Sequence, residues 1–475
     1  MTPTSRTLIT PLIIACALFM EQLDGSIIAT ALPTISRSLH TDPLHLNLAI
    51  TSYMFSLAVF IPLSGWVADR IGARIIFRAA IVVFMLGSIA CGLSSNLLEL
   101  VLSRILQGIG GAMMVPVGRL VLLRTIPKAQ LVDAMAWVTA PALIGPVLGP
   151  PLGGFMVTYL SWRWIFYINV PIGILGIILA TLYIEDIEGR SREPLDKTGF
   201  ILMALSLAGL VFGFETVGRH LLSDETIIGF LIGGMVCFGL YLLHIRRIEH
   251  PIIDLSLLQY PTYRASILGG SLTRIGIGAL PFLLPLMLQY GFGLTPMASG
   301  FLTFASAAGA MLMKITATPI IRALGFRPIL IGNSLVNVFF MMGCALFEVT
   351  TAHSVIFIFL LLGGFFRSLQ FTALNTIAFA EIPTPMLSRA NTFYNMMQQL
   401  TLSIGVAMGA FMLNLTLTWH KHTVLSANDF WPAYIGIGLL SVLATLSFLP
   451  LSPTAGAEMS GHILPGKESE HKDPA

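Results

Sequence analysis

Apolar residues in this 475-residue chain gather into runs long enough to cross a bilayer, one after another from end to end. A spanning helix needs roughly 20 such residues, and hydrocarbon tolerates only helices or closed barrels. On that criterion about 14 helical spans are expected, near 8–33, 46–67, 75–94, 97–120, 135–159, 163–184, 198–217, 226–245, 265–290, 297–320, 328–347, 353–379, 390–415 and 430–450. Charged residues make up only 10% of the chain and mean hydropathy is +0.85. A soluble domain would carry about 25% charged residues. The expected class is therefore all-α integral membrane, with the lipid bilayer as its solvent.

Several functions are excluded early. A net charge of +3 does not suggest nucleic acid. Cys16, Cys91, Cys237 and Cys344 each fall inside an apolar run, with no spacing for a metal site or disulfide framework. No phosphate-binding loop of the form G-x-x-x-x-G-K-[ST] occurs, and no catalytic constellation supports an enzyme. No cofactor is expected, so active transport would draw on an ion gradient. Arg6 precedes a first run of full spanning length with no small-residue cleavage site, which reads as a retained first helix.

Basic residues in short loops set orientation. With the N-terminus in the cytoplasm, 17 Lys and Arg fall on the cytoplasmic side and 4 (Arg37, Arg163, Arg219, Lys421) on the other. Both termini are then cytoplasmic.

Gly65 to Arg74, G-W-V-A-D-R-I-G-A-R, places Asp69, Arg70 and Arg74 between two apolar runs, so it lies at a membrane surface. Gly65 and Gly72 permit close approach and a tight reversal. Asp69 would act as a cytoplasmic gate latch, bonding a helix N-terminus or an arginine. Thr318 to Arg327 is a degenerate copy without the acid, with Gly325 and Arg327 standing for Gly72 and Arg74. Arg104-x-x-Gln107 is likewise echoed by Arg367-x-x-Gln370. Two parallel six-span repeats with a site between them account for both. The expected division is 1–190 for the first bundle, 191–250 for two inserted spans, 251–451 for the second bundle and 452–475 for a disordered cytoplasmic tail.

Intramembrane ionisable groups mark pathways. Glu21 and Asp24 are three apart, so they share a helix face. An ionised carboxylate as deep as Asp24 is costly, which makes it a candidate proton carrier, with permanent pairing to a basic group as the alternative. Arg104 is a candidate partner. Gly108, Gly110, Gly111 and Ala112 form a small surface beside it. In the fifth span Pro146, Pro150 and Pro151 remove helix hydrogen bonds while Gly145, Gly149, Gly153 and Gly154 give a small face, so a bent, closely packed helix is expected. Asp24, Gln107, Arg274, Gln289 and Arg367 are candidates for the substrate cavity, with Asn375, Asn395, Gln398 and Gln399 as further polar lining. Lys314 is read as snorkelling from a helix end.

These stretches resemble a known family. Gly65–Arg74 resembles the loop signature after the second span of the major facilitator superfamily. Leu23–Pro33 resembles the first-span signature of its 14-span drug:proton antiporters, the QacA/EmrB branch. Arg104–Ala112, Gly145–Gly154 and Trp162–Gly173 resemble further segments of that branch, whereas the second half matches by span count and the weak repeat. Ala29, Ser26 and Ala73 depart from it, standing where Asn, Thr and a basic residue are usual. The resemblance implies export of small molecules across a bacterial inner membrane, driven by inward proton flow. It makes Asp24 a coupling acid, Arg104 its proton-transfer partner, and Gly145 with Pro146 part of the antiport kink. Amphipathic cationic drugs are the first expected substrates. An anionic metabolite or metal chelate is the alternative, motivated by Arg274 and Arg367. A monomer is expected, and the need for a periplasmic adaptor is left open.

Overall fold

In a computed structural model the described residues are 3–125, 131–184, 195–216, 223–248, 251–383, 386–420 and 425–457. Nearly all are helical, and no strand occurs among them. The first bundle comprises α1 (Pro3–Ser38), α2 (Asn47–Ile71), α3 (Ala73–Leu93), α4 (Leu97–Thr125), α5 (Leu131–Tyr159), the short α6 (Trp164–Tyr167) and α7 (Asn169–Tyr183). An intervening pair follows, α8 (Lys197–Thr216) and α9 (Asp224–Ile245). The second bundle is α10 (Pro261–Leu286), α11 (Pro296–Leu324), α12 (Phe326–Gly343), α13 (His353–Ile377), α14 (Leu387–His420) and α15 (Phe430–Phe448).

Twelve helices among the described residues are long and apolar enough to cross a membrane. The expected count of 14 differs by α5 and α8. Both are helices, of 29 and 20 residues. The tail beyond Ala457 lies outside the described residues.

The two tight reversals have one geometry. Gly72 joins α2 to α3 at φ 112°, and Gly325 joins α11 to α12 at φ 76°. Residues with a Cβ rarely adopt such values, so glycine is required at both turns. Each N–H closes the preceding helix, Gly72 on the Ala68 carbonyl and Gly325 on that of Ile321. Two residues on, Arg74 donates to the Thr181 carbonyl at 2.5 Å and Arg327 to that of Leu449 at 3.2 Å. Each arginine thus fastens its hairpin to the last helix of its own bundle or the residue just past it.

Within the first bundle α1 lies on α5, and α4 lies between α2 and α3. Within the second, α10 lies on α14 and α11 on α13. The bundles meet chiefly along α5 with α11 and α2 with α14. At the end holding the α1 C-terminus one apolar core runs through both bundles, joining Ile28, Leu32 and Ile35 to Phe282, Leu283 and Leu413. That end is closed.

The α8–α9 pair packs against itself and sets α8 beside α2 and α14, over the seam between the bundles. Phe55 meets Phe212 and Phe60 meets Phe200, edge to face at 6.0 and 5.9 Å. His244 and Asp196 join the ends of the pair at 2.7 Å.

Candidate functional site: a buried charge network beside a central cavity

Asp24 is sealed inside the first bundle. Its Oδ2 accepts from Arg104 Nη1 at 2.5 Å, and its Oδ1 accepts from Gln107 Nε2 at 2.8 Å and Asn169 Nδ2 at 3.0 Å. Arg104 also donates from Nε to the Ala49 carbonyl at 2.9 Å and lies 4.2 Å from the centre of the Tyr53 ring. Ser88 accepts from both Gln107 and Asn169, at 2.6 and 3.0 Å. Asp24 is 1% exposed, and Arg104, Gln107, Asn169 and Ser88 are fully buried. The helical spacing of Arg104 and Gln107 puts both on the face of α4 that meets α1. The cost of burying this polar group is offset by its pairing with Arg104 and by the three donors it receives.

Between the bundles lies a cavity of about 770 Å³. Glu21, Gly25, Ser26 and Thr30 of α1 line one side, and Lys314 of α11 and Arg367 of α13 line the other. Met54, Met341, Phe340, Phe359 and Phe371 supply apolar surface. Lys314 and Asn375 on its wall are exposed. Lys314 Nζ donates to Thr372 Oγ1 at 2.9 Å, and Arg367 donates to the Ser306 hydroxyl.

Several sequence expectations need correcting. Asp24, Gln107, Arg274 and Gln289 do not line this cavity. Of the five expected cavity residues only Arg367 does. Glu21 and Asp24 do not share its surface: Glu21 faces the cavity and Asp24 turns toward α4. Lys314 does not snorkel from a helix end, because α11 continues to Leu324. Arg274 is buried between α10 and α14, donating to the Tyr394 hydroxyl, which donates to Asn375 Oδ1 at 2.5 Å. Gln289 lies on a π-helical turn, Met287–Gly291, and donates to the Thr30 carbonyl at 2.9 Å. Beside it Tyr290 donates to the Pro33 carbonyl at 3.4 Å. Both bonds tie the second bundle to α1 at the closed end. Asn395, Gln398 and Gln399 do line the cavity.

The glycines of α5 divide their work. A Cβ at Gly145 would crowd Gln22 and Leu23, one at Gly149 would fall on Ser26, and one at Gly153 would meet Ile27 and Thr30. All three admit α1, whereas a Cβ at Gly154 would strike Pro296 and Met297 of α11. Through Pro146, Pro150 and Pro151 the helix stays continuous. Gly65 has open space around it, and Arg70 lies 5.5 Å from the Trp66 ring centre. The Asp69 side chain lies outside the described residues.

Sequence reasoning missed Asn169 and Ser88. Asn169 carried a signal, as an amide at the start of an apolar run; Ser88 is small and silent.

Two helical bundles around a central cavity, with a charge network sealed in one of them, define a membrane transporter. The Major Facilitator Superfamily model matches residues 14–280, and the chain belongs to that family. It is 40% identical over 407 residues, 85% of this chain and 86% of the relative, to "Putative multidrug resistance protein MdtD" of Salmonella heidelberg (strain SL476). To the protein of that name in Escherichia coli O9:H4 (strain HS) it is 38% identical over 445 residues, covering 92% and 93%. Among solved structures, the peptide transporter POT in complex with sulfate superposes with a TM-score of 0.70 at 14% identity, covering 94% of this chain and 95% of that one. A mutant of the nucleoside transporter NupG gives 0.65 at 12% identity, covering 93% and 99%. These two likenesses concern the fold.

Proposed function

We propose that this protein is a proton-coupled exporter of amphipathic small molecules, of the multidrug type, in a bacterial cytoplasmic membrane. The observation that carries the reading is the sealed Asp24–Arg104 pair beside the central cavity. Protonating Asp24 removes the charge that compensates Arg104, and a buried guanidinium without its counter-ion is costly. A proton arriving at Asp24 therefore frees Arg104, Gln107 and Asn169 to re-pair, and α1 carries that change to the cavity wall. The excess of Lys and Arg near Gly72 and Gly325 supports a cytoplasmic position for that end. The cavity then opens inward, and the Gln289–Thr30 end closes the outer side. With α5 and α8 counted as spans the chain crosses 14 times. The proton gradient is the only energy source required, and one chain forms the whole path.

The test is collapse of an imposed proton gradient in proteoliposomes when amphipathic substrates are added. Collapse that is lost in Asp24→Asn supports the reading, and undiminished collapse in that variant removes Asp24 from the mechanism.

A second reading, export of an anionic metabolite or metal chelate, is favoured by Lys314 and Arg367 on the cavity wall. Collapse by citrate-like anions alone would select it.

A further inference from the structure

We propose that Asn375 is a specificity-determining residue that selects amphipathic molecules bearing a hydrogen-bond-accepting oxygen, and that Arg274 and Tyr394 position it to do so. The inference rests on the export reading and names a chemical feature of the substrates.

Arg274 is fully buried in α10, and among the described residues it bonds a single group, the Tyr394 hydroxyl of α14. Its Nε and Nη1 have no hydrogen-bond partner among those residues. Gly270, one turn earlier, makes room for the guanidinium, since a Cβ there would fall 2.9 Å from Nη1. A cation buried with so few partners is costly, and an apolar side chain of similar volume would pack at lower cost. What Arg274 does supply is a direction for the proton of Tyr394.

A guanidinium only donates, so the Tyr394 oxygen accepts from it. The phenol proton then goes to Asn375 Oδ1, at 2.5 Å. Tyr394 is only 2% exposed, so the reverse orientation of the amide would leave a buried phenol proton unpaired. Ser266 of α10 donates to the Leu374 carbonyl at 2.8 Å, which holds the α13 backbone beside Asn375 to the helix that carries Arg274. With Oδ1 taken, Asn375 has its Nδ2 left for the cavity, two donors and no acceptor. Asn375 is exposed on the cavity wall, and Nδ2 has no partner among the described residues. A donor fixed in this way discriminates by what it leaves unpaired. A carbonyl or ether oxygen placed against it restores the hydrogen bond it loses to desolvation. A hydrocarbon or an N–H group does not.

Three phosphonium cations of one body and one charge test this in proteoliposomes with an imposed proton gradient. They are tetraphenylphosphonium, its 4-acetylphenyl analogue with an added acceptor, and its 4-aminophenyl analogue with an added donor. KM for the acetyl compound is expected to lie about fivefold below that of the parent, the equivalent of one net hydrogen bond, with no such gain for the amino compound. Asn375→Leu should erase this preference. Asn375→Asp still accepts from Tyr394 but turns an oxygen to the cavity, and should transfer the preference to the amino compound. Tyr394→Phe frees the amide to turn, and should bring the KM ratio of parent to acetyl compound near one with kcat little changed. A loss of folded protein would lower both rates and leave that ratio where it was. Because Tyr394→Phe strands Arg274, the double variant Arg274→Met/Tyr394→Phe repeats the measurement without an unpaired cation. Equal KM for the acetyl and parent compounds in the wild type, or a preference that survives Asn375→Leu or the double variant, would overturn the inference while leaving export standing. Transport of none of the three would remove amphipathic export and this inference with it.

Discussion

Arg104 and Asp24 meet at 2.5 Å with both side chains wholly buried, on helices whose sequence positions are 80 residues apart. Removing one member strands the other in a fully buried site, which typically costs about 3–5 kcal/mol. Arg104→Met should therefore lower the melting temperature of the detergent-solubilised protein strongly. The double variant Asp24→Leu/Arg104→Met should melt above Arg104→Met alone, because it leaves no unpaired charge, yet transport nothing. A double variant no more stable than the single would mean that Gln107 and Asn169 compensate Asp24 without the arginine.

Gly149 and Gly154 lie on one helix but admit different partners, Ser26 of α1 and Met297 of α11. Overpacking a close contact costs about 1–3 kcal/mol. Gly149→Ala should reduce stability within the first bundle, read as a lower melting temperature. Gly154→Ala should instead push the bundles apart at their closed end. Its readout is faster alkylation of a cysteine placed at Thr295, with a melting temperature nearer that of the parent. Identical behaviour of the two variants would show that both glycines serve the same packing.

Much of this architecture was legible in the chain. Apolar runs marked the helices, and the Gly72/Gly325 echo marked two tight turns of one geometry, because a turn at positive φ leaves few residues able to replace glycine. The pairing of Arg104 with Asp24 was also within reach, since two opposite charges deep in apolar helices have few other ways to persist. The direction each faced was not. Glu21 and Asp24 are separated by only about 60° around α1, and hydropathy does not record which side of that arc meets the cavity. Lys314 was misread for a related reason: its depth depends on where α11 ends, and the apolar run stops short of the polar turn that follows. Ser88 gave no sign, because small hydroxyl residues are common in membrane helices and acquire a role only from their neighbours.

Gly72 and Gly325 hold the same place in the two halves, at φ 112° and 76°. A side chain there costs about 1–2 kcal/mol in backbone strain. Gly72→Ala and Gly325→Ala should each lower thermal stability by a comparable amount, and the double variant should show their sum, because the hairpins belong to separate bundles. A much larger effect at Gly72 would mean that the fuller motif around it, with Asp69 and Arg70, carries energy that its copy lacks.

At the closed end the second bundle holds α1 through two carbonyls: Gln289 donates to Thr30 and Tyr290 to Pro33. Hydrogen bonds of this kind are each worth about 1 kcal/mol net, roughly a factor of five in an equilibrium. If these bonds break when the outer side opens, Gln289→Leu and Tyr290→Phe should favour the outward-open state by that factor apiece. Spin labels at Thr41, beyond α1, and at Thr351, before α13, would report the change as a larger population at long separation. The glutamine should matter more, because its bond is the shorter of the two. A distance distribution unchanged in both variants would mean that the apolar core of Ile28, Leu32 and Phe282 closes this end without help from either side chain.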